Sequence, residues 1–79
     1  MLNRLAARRV EQHRINLALS PEQYGIRIGV SGMTVRRVEQ GYFPFLSTQG
    51  KFARDLDVQV GDLFEARRAQ RRKRAAAAA

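Results

Sequence analysis

Arginine is the residue type in this chain that points most directly to a chemistry. Thirteen of the fifteen basic side chains are arginine, and only Lys51 and Lys73 are lysine. A guanidinium group donates hydrogen bonds in a planar fork that fits phosphate oxygens or the edge of guanine. Arg36 and Arg37 are adjacent in residues 31–40, whose apolar positions have helical spacing. These two arginines are the first candidates for contact with a nucleic acid.

The net charge is unevenly distributed along the chain. It is +8 at neutral pH, and residues 67–74, RRAQRRKR, contribute six basic side chains and no acid. An anionic polymer is the natural partner of such a segment. We expect a domain over residues 1–66 and a basic tail over residues 67–79, which either projects as a helix or is disordered until it meets an anion.

The same residues argue against catalysis and cofactor binding. The chain has no cysteine, and His13 is its only histidine. Paired acids, a nucleophile with its base and a glycine-rich phosphate loop are also missing. We therefore expect no enzyme activity, metal, cofactor or small-molecule ligand. The N-terminus has no apolar run long enough for a signal peptide or a membrane span, which predicts a cytoplasmic protein that does not bind membranes.

The stretch SPEQYGIRIGVSGMTVRRVEQG predicts two short helices joined by a tight turn. Ser20 is a good N-cap, and Gln23 is placed to complete a capping box. Gly29 can adopt the left-handed conformation that ends a helix, and Ser31 can cap the helix that follows. This pattern is typical of a helix-turn-helix, whose second helix enters the DNA major groove.

Three further helices are expected around this unit. The first covers residues 5–17, with a core-facing stripe of Ala6, Val10, His13 and Leu17. The fourth, capped by Ser47 or Thr48, should run to about residue 56, and Gly50 should weaken it. The last helix buries an apolar side made of Val60, Leu63 and Phe64.

The connections carry two more expectations. Gly25 has no side chain and should let two helices approach closely. Tyr42, Phe43 and Phe45 lie in the loop that follows the third helix. Either one or two of these rings cover the core while the others lie on the surface, or the loop packs on a DNA backbone or a partner subunit.

Three stretches together carry a family resemblance. They are LSPEQYGIRIGVSGMTVRRVEQG, then Pro44 and Leu46, then KFARDLDVQVGDLF. With these, residues 10–64 resemble the phage Cro/repressor-type helix-turn-helix family, often called XRE. The resemblance implies an all-α, five-helix bundle of the lambda repressor-like type, with its recognition helix at about residues 32–40.

The resemblance also implies which residues would touch DNA. Base contacts would come from the first turns of the recognition helix: Gly32, Met33, Arg36 and Arg37. Backbone contacts would come from the starts of the second and third helices and from the aromatic loop: Ser20, Gln23, Ser31, Thr34, Tyr42 and Phe43. By charge alone, the tail would add phosphate contacts from Arg67, Arg68, Arg71 and Arg72. The family's usual helix 1 to helix 3 ion pair would join Arg14 and Glu39.

The chain departs from the family pattern at several positions. Gly32 offers only its backbone, and Met33 offers only apolar contact, so direct readout would fall largely on the two arginines. Pro21 replaces a residue that often touches phosphate. Gln49 and Gly50 stand where the family is usually apolar, which predicts a less securely packed fourth helix.

The sequence thus favours a regulator that binds double-stranded DNA. The leading hypothesis is a sequence-specific, phage Cro-like transcriptional repressor in the cytoplasm of a bacterial host, acting by operator occupancy. It would bind its operator as a homodimer or, helped by its tail, as a monomer. The alternatives are an antitoxin, controller or excision-type regulator with the same fold, or a protein-interaction module that does not bind DNA.

Overall fold

The computed structural model describes residues 3–64, which form five α-helices and no strand. The helices are α1 (Arg4–Asn16), α2 (Pro21–Ile28), α3 (Gly32–Glu39), α4 (Leu46–Asp55) and α5 (Val60–Leu63). The prediction of an all-α chain with five helices is therefore confirmed for this part of the chain. The predicted domain boundary at residue 66 and the whole basic tail lie outside the described residues.

The boundaries of α2 and α3 follow from local sequence. The Ser20 hydroxyl accepts from the Gln23 N–H at 3.1 Å, and the Gln23 side chain accepts from the Ser20 N–H at 2.9 Å, which completes the capping box. Gly29 ends α2 with a φ of 85°, in the left-handed region. The Ser31 hydroxyl then accepts from the Thr34 N–H at 3.1 Å and starts α3. Each of these bonds joins residues three apart, so the sequence alone predicts them.

A close backbone contact at Gly25 brings α2 against the beginning of α3. A Cβ atom at this position would lie 2.5 Å from the carbonyl oxygen of Val30 and 3.2 Å from the backbone nitrogen of Gly32. Any larger residue would push the two helices apart. The expectation that Gly25 permits a close approach is confirmed.

The core is built from aliphatic and aromatic side chains of all five helices, together with Phe64. Tyr24 and Phe52 pack with ring centroids 6.2 Å apart, and Phe43 packs on Phe64 at 6.1 Å. The buried apolar cluster consists of Ala6, Val10, Tyr24, Val35, Val38, Phe52, Ala53, Leu63 and Phe64. The inner sides of α2 and α3 are therefore fixed by packing, which leaves their other sides to solvent.

The ends of α1 and α5 differ from the predicted ones. Helix α1 ends at Asn16, and Leu17 is exposed rather than part of the core-facing stripe. Leu17 is the C-cap of α1, so it stands beyond the last helical turn, and the next residue, Ala18, has a φ of 58° that is unusual for a residue with a side chain. Helix α5 has four residues, and Phe64 lies just past its end, yet the Phe64 ring is fully buried.

Helix α4 differs most from the prediction. It begins at Leu46, so Ser47 and Thr48 lie inside the helix, and no side chain caps it. Gln49 is buried, and its side-chain amide donates to the Pro44 carbonyl oxygen at 2.9 Å. This bond satisfies the amide nitrogen, whereas the buried Oε1 atom has no hydrogen-bond partner among the described residues, which is unfavourable. The expectation that Gln49 makes α4 less securely packed stays a prediction.

Two glycine substitutions distinguish the effect of a close backbone contact on stability from the effect of helix propensity. We predict that Gly25→Ala destabilises the fold by about 1–3 kcal/mol, because its methyl group would overlap the Val30 carbonyl oxygen. Gly50→Ala should instead stabilise the fold by about 0.5–1 kcal/mol, because a Cβ at position 50 would meet no atom within 4 Å apart from its chain neighbours and the backbone of its own helix. Urea denaturation measures the free energy of unfolding of both variants. The same change in both would contradict the close contact at Gly25.

Candidate nucleic-acid interface

An ion pair between α1 and α3 fixes the orientation of α3. Arg14 Nε lies 2.7 Å from Glu39 Oε2, and Arg14 Nη2 lies 2.9 Å from Oε1, so the contact is bidentate. The third contact of the guanidinium is a 2.9 Å bond to the Leu19 carbonyl oxygen, just before α2. The side chains are only 15% and 9% exposed, and the bond to Glu39 raises the pKa of Arg14. The Arg14–Glu39 pair that the resemblance implied is thus present and mostly buried.

A second polar cluster, around Asp55, attaches α4 to α1 and α2. Asp55 Oδ2 lies 2.8 Å from His13 Nε2 and accepts from the Tyr24 hydroxyl at 2.9 Å. Arg27 Nε donates to Oδ1 at 3.1 Å. This cluster was missed in the sequence, because nothing in the spacing of residues 13, 24, 27 and 55 shows that they converge. It gives His13 a structural role at the edge of the core.

The Asp55 cluster favours the ionised carboxylate. Burial alone would raise the pKa of Asp55, but hydrogen bonds from His13 and Tyr24 and the charge of Arg27 outweigh it, so the pKa lies below its ordinary value. Burial, together with the bond to Asp55, raises the pKa of Tyr24, which therefore remains a hydrogen-bond donor.

The outward side of α3 carries most of the predicted base-contacting residues. Met33 and Arg37 are exposed, and Arg37 forms no ion pair with any residue in the described range. Arg36 is also exposed but forms an ion pair with Glu22 of α2. Gly32 is half-buried beneath the Glu22 side chain. The structure therefore groups Met33, Arg36 and Arg37 on one side of α3. Gly32 lies beneath the side chain of Glu22.

The predicted backbone-contacting residues fall into two groups. Ser20, Gln23, Ser31 and Thr34 lie at the N-terminal ends of α2 and α3, where their side chains also form the caps. Tyr42 is exposed, whereas the ring of Phe43 packs against Phe64. The four tail residues Arg67, Arg68, Arg71 and Arg72 lie outside the described part of the chain.

The loop after α3 borders an open groove of about 520 Å³. Its lining includes Arg37 and Val38 of α3 and the aromatic loop up to Phe45, which is 86% exposed. Of the three loop aromatics, Phe43 covers the core while Tyr42 and Phe45 lie on the surface. This agrees with the first of the two expectations for the loop, and the second, contact with DNA or a partner, stays a prediction.

Within residues 3–64, no three histidine, cysteine or acidic residues are grouped closely enough to hold a metal ion. None of the helices in that range has the length and apolar composition needed to cross a bilayer.

Comparison with known proteins adds no neighbour. The chain matches no protein-family model, and neither the curated proteins nor the solved structures contain a significant match. The family resemblance of residues 10–64 therefore stays a prediction.

The Asp55 cluster predicts how stability responds to acid. Since the pKa of Asp55 is lower in the folded chain than in the unfolded one, its contribution is present above about pH 4 and is lost as the pH falls through the folded value. We predict that Asp55→Asn costs about 1.5–3 kcal/mol at neutral pH and flattens the decline of stability between neutral and acidic pH. Urea titrations at several pH values measure both effects.

Asp57→Asn is the matched control for that experiment, because Asp57 is exposed and asparagine tolerates its φ of 56°. It should keep the stability and acid response of the wild type. An Asp55→Asn variant with the same acid response as Asp57→Asn would contradict the role of the cluster.

Proposed function

We propose that the chain is a sequence-specific regulator that binds double-stranded DNA through α2 and α3 acting as a helix-turn-helix. The observation that carries this proposal is the two-sidedness of α3. Val35 and Val38 are buried in the core, while Met33, Arg36 and Arg37 are exposed on the other side. Met33 lies about one helical turn from both arginines, and the two arginines are adjacent. The three side chains can therefore reach neighbouring base pairs together.

The chemistry of the exposed side suits the major groove. Arg37 is an unpaired cation within the described residues, and arginine binds guanine O6 and N7 in a bidentate manner. Met33 can pack on a thymine methyl group. An apolar contact beside an arginine discriminates between base pairs, whereas phosphate binding alone needs only charge.

The N-terminal ends of α2 and α3 suit the phosphate backbone. Each begins with a serine cap in an extended conformation, and both helices are eight residues long. Free backbone N–H groups and the partial positive charge at such ends favour phosphate oxygens. The net charge of +8 would add attraction that does not depend on sequence.

The form of regulation that we propose is repression of the phage Cro kind, in which the protein occupies an operator and excludes polymerase. The chain would act as a homodimer on two half-sites or as a monomer assisted by its tail. An antitoxin, a controller or an excision factor would use the same surface, and the position of the binding site relative to a promoter separates these roles.

A protein-interaction module is the second candidate function. The groove beside the aromatic loop favours it, because Phe45 and Tyr42 expose apolar rings there. Such a module would have no preferred DNA sequence, which is how the next experiment distinguishes it.

Substitution of Arg37 tests the base-reading role. Selection from a pool of randomised duplexes first defines the preferred site of the wild type. We predict that Arg37→Ala loses about 1–3 kcal/mol of discrimination at one base pair of that site, because the guanine contact is lost. Fluorescence anisotropy with single-base variants of the site measures this loss.

Arg54→Ala is the matched control, since Arg54 is an exposed arginine on α4, outside the two helices of the proposed DNA surface. It should weaken binding to all duplexes by a similar, small factor. If Arg37→Ala behaves in the same way, or if the wild type selects no site, the base-reading proposal is wrong.

A further inference from the structure

Arg36 does not extend freely from α3 but is held by a residue of α2. Its Nη2 atom forms an ion pair with Glu22 Oε2, and the two side chains are 52% and 54% exposed. Glu22 lies in the first turn of α2, beside the Ser20 cap. The ion pair thus brings the carboxylate of Glu22 to the proposed DNA surface.

Gly32 makes room for this arrangement. A Cβ at position 32 would lie 2.8 Å from Glu22 Oε2, 3.0 Å from its Cγ and 3.1 Å from its Cα. Gly32 and Arg36 are four residues apart and so lie on the same side of α3. The Glu22 side chain therefore crosses α3 over the glycine and ends on the guanidinium, and a larger residue at position 32 would displace it.

We propose that Glu22 is a specificity-determining residue that reserves Arg36 for a base rather than for phosphate. This inference rests on the proposed function, because it concerns the same DNA surface. It gives Glu22, which the sequence did not single out, a role in readout. It also gives Gly32 a role that does not require direct contact with a base.

The physical reason is the difference between the two possible acceptors. Phosphate is an anion, so its attraction to Arg36 is reduced by the carboxylate, which also repels the phosphate itself. Guanine O6 and N7 are neutral acceptors and need only N–H groups in the correct geometry. A guanidinium has five N–H donors, so one side can stay on Glu22 while another faces a guanine.

Holding the side chain also reduces its freedom before DNA arrives. A long arginine side chain loses rotamer entropy when it is fixed on a base. The ion pair with Glu22 restricts those rotamers in the free protein. The guanine contact therefore costs less entropy, while a phosphate contact in another direction requires the pair to separate.

The variant Glu22→Gln tests this proposal, because glutamine keeps the length of the side chain and removes its charge. Glu11→Gln is the matched control, since Glu11 is an exposed acid on α1. Thermal unfolding by circular dichroism verifies that both variants are folded. Anisotropy titrations at several salt concentrations then use a random-sequence duplex and the site selected by the wild type.

We expect Glu22→Gln to bind the random duplex more tightly than Glu11→Gln does, with a salt slope steeper by about 0.9, since one more arginine neutralises a phosphate. The ratio of affinities for the selected site and the random duplex should fall by about tenfold, within the range that one base contact supplies. In an Arg36→Ala background, Glu22→Gln should leave this ratio unchanged, which a purely structural effect of Glu22 would not do.

Two results would overturn the inference, and they differ from each other. If the wild type selects a site but Glu22→Gln has the ratio and salt slope of Glu11→Gln, then Glu22 does not determine specificity and the proposed function stands. If the wild type selects no site at all, the proposed function fails and this inference fails with it.

Discussion

The buried contacts of Arg14 are the constraint on which the candidate interface depends. One guanidinium joins α1 to Glu39 near the end of α3 and to the Leu19 carbonyl oxygen before α2. A buried charge that loses its partner is strongly unfavourable, so these segments keep one arrangement. The orientation of α3 on the core is therefore fixed by electrostatics as well as by apolar packing. A surface that reads bases needs this rigidity, because small displacements misalign hydrogen bonds.

Close packing at two glycines also holds α2 against α3. Gly25 lets α2 lie against the turn before α3, and Gly32 lets Glu22 cross α3 towards Arg36. The Asp55 cluster attaches α4 to α1 and α2 and so helps to hold α2 in place. Specific contacts thus join α1, α2, α3 and α4 on their inner sides, and the exposed side of α3 remains for a ligand.

The sequence predicted what depends on neighbouring residues and missed what depends on distant ones. The caps at Ser20 and Ser31 were predictable because each bond spans three residues. The Arg14–Glu39 pair came only from the family resemblance. The Asp55 cluster and the Glu22–Arg36 pair join residues that the fold brings together, and no local pattern marks them. The start of α4 was misplaced because it was assigned from a capping side chain, whereas α4 begins at Leu46 without one.

The most direct test of the central claim is nuclear magnetic resonance of the full, ¹⁵N-labelled chain titrated with the duplex that it selects. We predict that the largest amide shift changes fall in α3 and at the start of α2, while α5 and the middle of α1 change little. Changes concentrated along α4 and the aromatic loop, with α3 unaffected, would contradict it. That result would assign the DNA contact to another surface.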